Sequence, residues 1–237
     1  MKVFLLILSV GLILSSFTPF RSLAQIEGIP DYNTTEGLSV LIETLDKHQK
    51  DGTYESLKTR LAKLDTTLTE AELFYLRFGA TRADDYSGYL YGSVRSSNIN
   101  KLDGYLKSQK AEVLIKEASN YITMHTNDPI YILFLQAGYQ QLGQIEAMKA
   151  SNIIYQNYNK AMLVSKSGTK TTEAWLVTGV WDEYFIVSQL GAKVSTQALV
   201  IDKKSRLPYD KITIRNASGG EKNLSLYFNI GLFYGKF

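Results

Sequence analysis

Apolar residues recur at helical spacing through the first two thirds of the chain and at alternate positions in parts of the last third. Leu38, Leu41, Ile42 and Leu45 predict a helix over 36–50, ended by Asp51 and Gly52. Leu57, Leu61 and Leu64 predict a second over 54–64. Thr69 and Glu72 have the spacing of a capping box, and Leu73, Phe74, Leu76 and Phe78 carry that third helix to Gly79. A short helix is expected over 101–108. Ala111, Leu114, Ile115, Ala118 and Ile122 then form one apolar stripe. Asp128 suits an N-cap, and Pro129 the first helical position. The run 130–142 is apolar almost all round and must be buried on most sides. Gly143 permits the reversal into a helix over 144–158. Gly28, Pro30 and Asn33 break any period over 25–35, which reads as a mobile leader. Between 81 and 97, Asp84, Asp85, Gly88, Gly92, Ser96 and Ser97 argue against a helix, whereas Tyr86, Tyr89 and Tyr91 argue against disorder. An ordered, aromatic loop is expected there.

After a polar connector over 164–172 the period changes. A strand is expected over 173–180, and a short helix over 183–190 capped by Asp182 and ended by Gly191. Further strands are expected over 194–201, around Ile212 and Ile214, and through Leu224, Leu226, Phe228 and Ile230, with a hairpin turn at 217–220. The class is α+β, with N-terminal helical hairpins packed against a small C-terminal antiparallel sheet with one helix. One helix-turn-helix unit over 109–142 cannot bury both its faces, so the β-rich part is expected to cover it. The chain divides into 1–24, a helical region 25–165 and a β-rich region 173–237.

Residues 1–24 change the picture of compartment. Lys2, the apolar run 3–17 and the small residues Ser22 and Ala24 have the form of a cleaved signal peptide, too short in its apolar part to span a bilayer. With no cysteine, neither a lipid anchor on cysteine nor a disulfide is open to this chain. An exported protein of the periplasm or extracellular space, not a lipoprotein and with no membrane span after signal removal, is expected. The formal charge of +3 falls to +1 when Lys2 and Arg21 leave with the signal. No basic run is dense enough for nucleic acid, and Lys203, Lys204 and Arg206 fit a solvated turn.

Residues 109–158 resemble a tetratricopeptide unit: Asn127-Asp128-Pro129, Tyr139, Gly143 and Ala147 lie near that motif's turn, aromatic, glycine and small positions, without the tryptophan and Leu-Gly pair of its first helix. The mature chain also resembles a family of exported Gram-negative bacterial proteins of unassigned function. The residues that carry this are 65–69 leading into Glu72-Leu73-Phe74-Tyr75-Leu76, Thr172-Glu173-Ala174, Tyr209-Asp210-Lys211-Ile212 and Leu226-Tyr227-Phe228-Asn229-Ile230. The resemblance implies a helical repeat with a β-rich tail, and implies no activity.

Catalytic chemistry has few places to sit. His48 and His125 are the only histidines, and a Cys/His zinc site is excluded by composition. His48 is expected to be solvated and His125 to bond within its turn. No phosphate loop is present, since Ser218-Gly219-Gly220 opens no helix. Neither a cofactor nor a metal is expected, and Asp84 and Asp85 lack calcium-loop spacing. Paired carboxylates for hydrolysis could come from Asp84, Asp85, Asp182 or Glu183, although capping and turn roles explain these acids as well. The Asn-x-Ser/Thr matches at Asn33, Asn216 and Asn223 carry no weight in a bacterial context. Among the 16 tyrosines, Tyr86, Tyr89 and Tyr91 are the candidate ligand contacts. The expectation is a non-enzymatic interaction protein for a peptide, protein or envelope component. The alternatives are a carboxylate-dependent hydrolase of glycan or peptide, and a structural subunit marked by an exposed apolar patch.

Overall fold

The structure is a computed structural model and describes residues 26–163, 166–216 and 223–235, except the side chains of Tyr91 and Asn216. The proposed signal peptide 1–24 and the hairpin turn at 217–220 lie outside the described residues. The helices are α1 (Thr35–Lys50), α2 (Thr53–Ala62), α3 (Glu70–Gly79), α4 (Tyr91–Lys107), α5 (Ala111–Met124), α6 (Ile130–Gln141), α7 (Ile145–Met162) and α8 (Val180–Gln189). The strands are β1 (Trp175–Leu176), β2 (Ala192–Ile201), β3 (Pro208–Asn216) and β4 (Leu224–Asn229), in sheet order β1-β4-β3-β2.

Local chemistry starts and stops these helices. Thr34 accepts from Gly37 N to cap α1. Thr69 and Glu72 complete the capping box on α3. Asp128 Oδ1 accepts from Ile130 N at 3.1 Å, so Asp128 satisfies a free donor at the start of α6, although Pro129 stands at the N-cap and Asp128 one residue before it. Gly143, at φ +67°, makes the reversal into α7. Leu41, Leu45, Leu73, Phe74, Leu114, Phe134 and Tyr158 build the helical core. Tyr209, Leu207, Leu176 and Leu232 from the C-terminal part belong to the same core.

Four expectations are corrected. The sheet is mixed: β2, β3 and β4 pair antiparallel, but β1 runs parallel to β4, with Trp175 opposite Phe228. A short chain segment entering beside β4 after the 173 turn, without a hairpin, gives that direction. The expected strand 173–180 shrinks to two residues, because Thr178 and Gly179 turn away to start α8. The aromatic loop ends at Leu90, and 91–107 is a helix despite Gly92, Gly104 and three serines. Burial of Leu102 and partial burial of Ile99 and Leu106 on the core override the weak propensity. The expected short helix over 101–108 is its last part. Finally, the segment 26–34 is held in place: Tyr32 is 2% exposed, and Asn33 Nδ2 donates to Ala174 O at 3.0 Å while Asn229 Nδ2 donates to Tyr32 O at 2.7 Å.

The sheet has two different faces. Tyr209 and Tyr227 point to the helical core. Ile212, Ile214, Leu226 and Phe228 alternate with them and pack under Ile186 and Val187 of α8. Asp210 shares that second face by the same alternation. Beyond its pairing with β3, the outer edge of the ten-residue β2 carries no strand among the described residues.

Candidate functional site

Two carboxylates adjacent in sequence divide the polar interior. Asp182 and Glu183 both lie in the first turn of α8 and neither has any exposed surface. Gly179 stands at the N-cap, so Asp182 is not the cap that its sequence position suggested. Instead Asp182 Oδ2 reaches back to accept from Thr178 N at 2.8 Å and from Thr178 Oγ1 at 2.7 Å. Its other oxygen accepts from Arg77 of α3, a guanidinium that is itself wholly buried and also donates to Asn127 O. Trp181 lies beneath both Arg77 and Arg95, 5.4 and 4.9 Å from its ring centre. Arg95 continues the seam to Asp128 at 2.7 Å. This seam ties α3, α4, the 125–129 turn and α8 together.

Glu183 points the other way, onto the sheet. Gln197 Nε2 donates to Glu183 Oε2 at 3.1 Å and to Asp210 Oδ2 at 3.0 Å, so one amide bridges two acids. Tyr184 Oη donates to Gln197 Oε1 at 2.8 Å and holds that amide in place. Glu183 Oε1 is buried and meets no donor. Burial pushes the Glu183 carboxyl up to about 10, and the charge of Asp210, a hydrogen bond to Asp210 and the charge of Asp182 add to it. Glu183 is therefore a neutral acid at pH 7.

Half-exposed apolar and aromatic residues surround this pair. Tyr184 is 45% exposed, Tyr234 45%, Tyr89 38% and Leu199 50%. Leu199 sits directly opposite Asp210 in the β2–β3 register. The Tyr89 ring meets Phe233 edge-on at 5.3 Å. Its hydroxyl is pushed up by burial first, then by the charges of Asp210 and Glu183 and by Tyr234. Gly88 sets this position: Val180 N donates to its carbonyl at 3.3 Å, and a side chain there would strike the Phe233 ring.

The sequence-derived candidates fare unevenly. Tyr89 is on the rim. Tyr86 turns inward, its hydroxyl donating to Thr178 O and accepting from Asn127 Nδ2, and burial raises its pKa. The Tyr91 side chain lies outside the described residues. Asp84 and Asp85 are exposed and share no bond with Asp182 or Glu183. His48 is partly buried against Tyr75 rather than solvated, its ring centre 5.0 Å away. His125 packs on Tyr131, and burial lowers its pKa. Reasoning from the sequence missed Gln197, Asp210, Tyr184 and Tyr234. Asp210 sits inside the 209–212 motif that carried the family resemblance, which was the available signal. A separate shallow depression at the end of α1, walled by Glu43, Asp46, Lys47, Lys50 and Asp51, offers only solvated charge.

Among the described residues no helix is long and apolar enough to cross a membrane. No curated protein and no solved structure matches the chain. One family profile does, over residues 41–234, spanning the seam, the Glu183–Asp210 pair and the tyrosine rim. The chain belongs to the family described as domain of unknown function DUF4919.

Proposed function

We propose that this chain is an exported, non-catalytic binding protein, and that it takes an extended peptide segment along β2, with the segment's side chains landing on Tyr89, Tyr184, Tyr234 and Leu199. The observation that carries the reading is the half-exposed aromatic rim beside an edge strand. An edge strand offers unpaired backbone groups to an added strand, and tyrosines supply contact area at low entropic cost. The tetratricopeptide-like helices, on this reading, are scaffold: their turn at 125–129 is filled by the buried seam rather than left open. The test is peptide-library binding to the mature chain. Tyr184→Ala and Tyr234→Ala are expected to weaken capture with the fold intact. Capture indifferent to both substitutions overturns the proposal.

A carboxylate-dependent hydrolase is the second reading, favoured by one observation. A neutral Glu183 beside Asp210 has the form of an acid–base pair. It ranks below binding because Glu183 has no exposed surface and Gln197 already occupies both acids. Turnover of a glycan, ester or peptide that Asp210→Asn abolishes would promote it.

A further inference from the structure

We propose that Glu183 and Asp210 are the anchor for an organic cation, the ammonium or guanidinium of a lysine or arginine side chain, and that Gln197 holds the cation's place in the free protein. This rests on the peptide-binding reading and names the side chain that the peptide must carry.

Three observations converge on a cation. The first is what Gln197 does: a single amide nitrogen donates to both acids, at 3.1 and 3.0 Å. An ammonium or guanidinium donates in the same way but adds the positive charge that lets both carboxyls ionise. Gln197 lies exposed on β2, and beyond the two acids its amide is held by Tyr184 alone among the described residues, so its place is the one a ligand's N–H can take by exchange. The second is Glu183 Oε1, fully buried without a donor, an acceptor left over for a ligand's N–H. The third is the rim itself. Tyrosine faces attract cations, and Tyr89 is coupled electrostatically to Asp210, Glu183 and Tyr234 together. Among the described residues no group of three or more His, Asp or Glu is placed to hold a metal ion. Two carboxyls and several π faces suit an organic cation better than a metal that needs six or more oxygens.

The exchange balances. Free Glu183 holds a proton; the arriving cation forms its ion pair with the Glu183 carboxylate, one proton leaves to solvent, and the Gln197 amide swings out to water. The other titratable groups facing the pair are Asp182, paired with Arg77, together with Tyr89, Tyr184 and Tyr234. None of the groups acting on Glu183 among the described residues is a cation, so the pair is not already charge-compensated there.

The test is calorimetry on the mature chain with a short extended peptide carrying a central lysine, and with its norleucine counterpart. Titrations run from about pH 6 to about pH 8 in two buffers of different ionisation enthalpy. The lysine peptide is expected to release about one proton, to bind up to about tenfold more tightly per pH unit, and to lose both effects in Glu183→Gln. The norleucine peptide is expected to bind weakly, with no proton release. If both peptides bind equally and without proton release, the cation anchor fails while the peptide surface stands. If neither binds and library capture ignores Tyr184→Ala, both proposals fail. If calcium chloride alone releases the proton and displaces the lysine peptide, the site is a metal site and the inference is overturned.

Discussion

Asp182 and Glu183 are neighbours on one helix turn, both sealed from solvent, yet their surroundings are opposite. Asp182 meets a buried guanidinium and two donors from Thr178. Glu183 meets another acid, one bridging amide, and an oxygen with nothing to accept from. The first arrangement is complete in charge: each charged group has an opposite partner and the elements it joins are fixed, although Arg77 Nε, also buried, meets no acceptor. The second closes only by keeping a proton, and the pair that keeps it lies under tyrosines that face solvent. The two carboxylates thus differ in what surrounds them, not in how deep they lie.

The largest expected effect breaks the complete side. Asp182→Ala leaves Arg77 buried without a counter-charge and should cost about 3–5 kcal/mol in denaturant unfolding. Replacing Arg77 and Asp182 together by methionine and leucine should cost less than either single removal, because no charge is then stranded. A seam that tolerates Asp182→Ala would remove the contrast.

The next effect is a pH dependence of the incomplete side. The folded Glu183 carboxyl sits near 10 against an ordinary value of 4.5. Between those values the native state holds a proton that the unfolded chain has lost. Stability should therefore fall as pH rises through that window, by at most about 1.4 kcal/mol per pH unit from this group. Glu183→Gln keeps a donor for Asp210 and should flatten the slope, so that its melting temperature exceeds the parent's at pH 8 more than at pH 5.

Smaller effects sharpen the comparison. Tyr184→Phe removes the bond that holds Gln197 and should cost about 0.5–1 kcal/mol, since Tyr184 is half-exposed. Asp84→Asn and Asp85→Asn, on an exposed loop, should change stability by less than about 0.5 kcal/mol.

Much of the helical half was legible because its determinants are local. The Leu38–Leu45 stripe, the Thr69–Glu72 box, Asp128 and Gly143 each act within a turn or two of chain. The helix 91–107 was legible only in its last part, from 101: the glycine and serines before that argue locally for a loop, and the burial of Leu102 that overrules them is tertiary. The direction of β1 was likewise set at a distance, by β4. The site divides in the same way. Glu183 and Tyr89 stand out by residue type alone. Their partners do not, because Gln197 lies 14 residues from Glu183 and 13 from Asp210, and only the β2–β3 register brings the three together. No spacing rule along the chain encodes such a meeting.

The central claim is that Glu183 keeps its proton at neutral pH. Carbon-13 NMR of the side-chain carboxyls, titrated from about pH 4 to about pH 9 in the chain starting at Gln25 and in its Glu183→Gln variant, reads this directly. The account predicts one glutamate carboxyl at its protonated shift across the whole range, absent from the variant. A spectrum in which every glutamate and aspartate carboxyl has lost its proton by about pH 6 would contradict it.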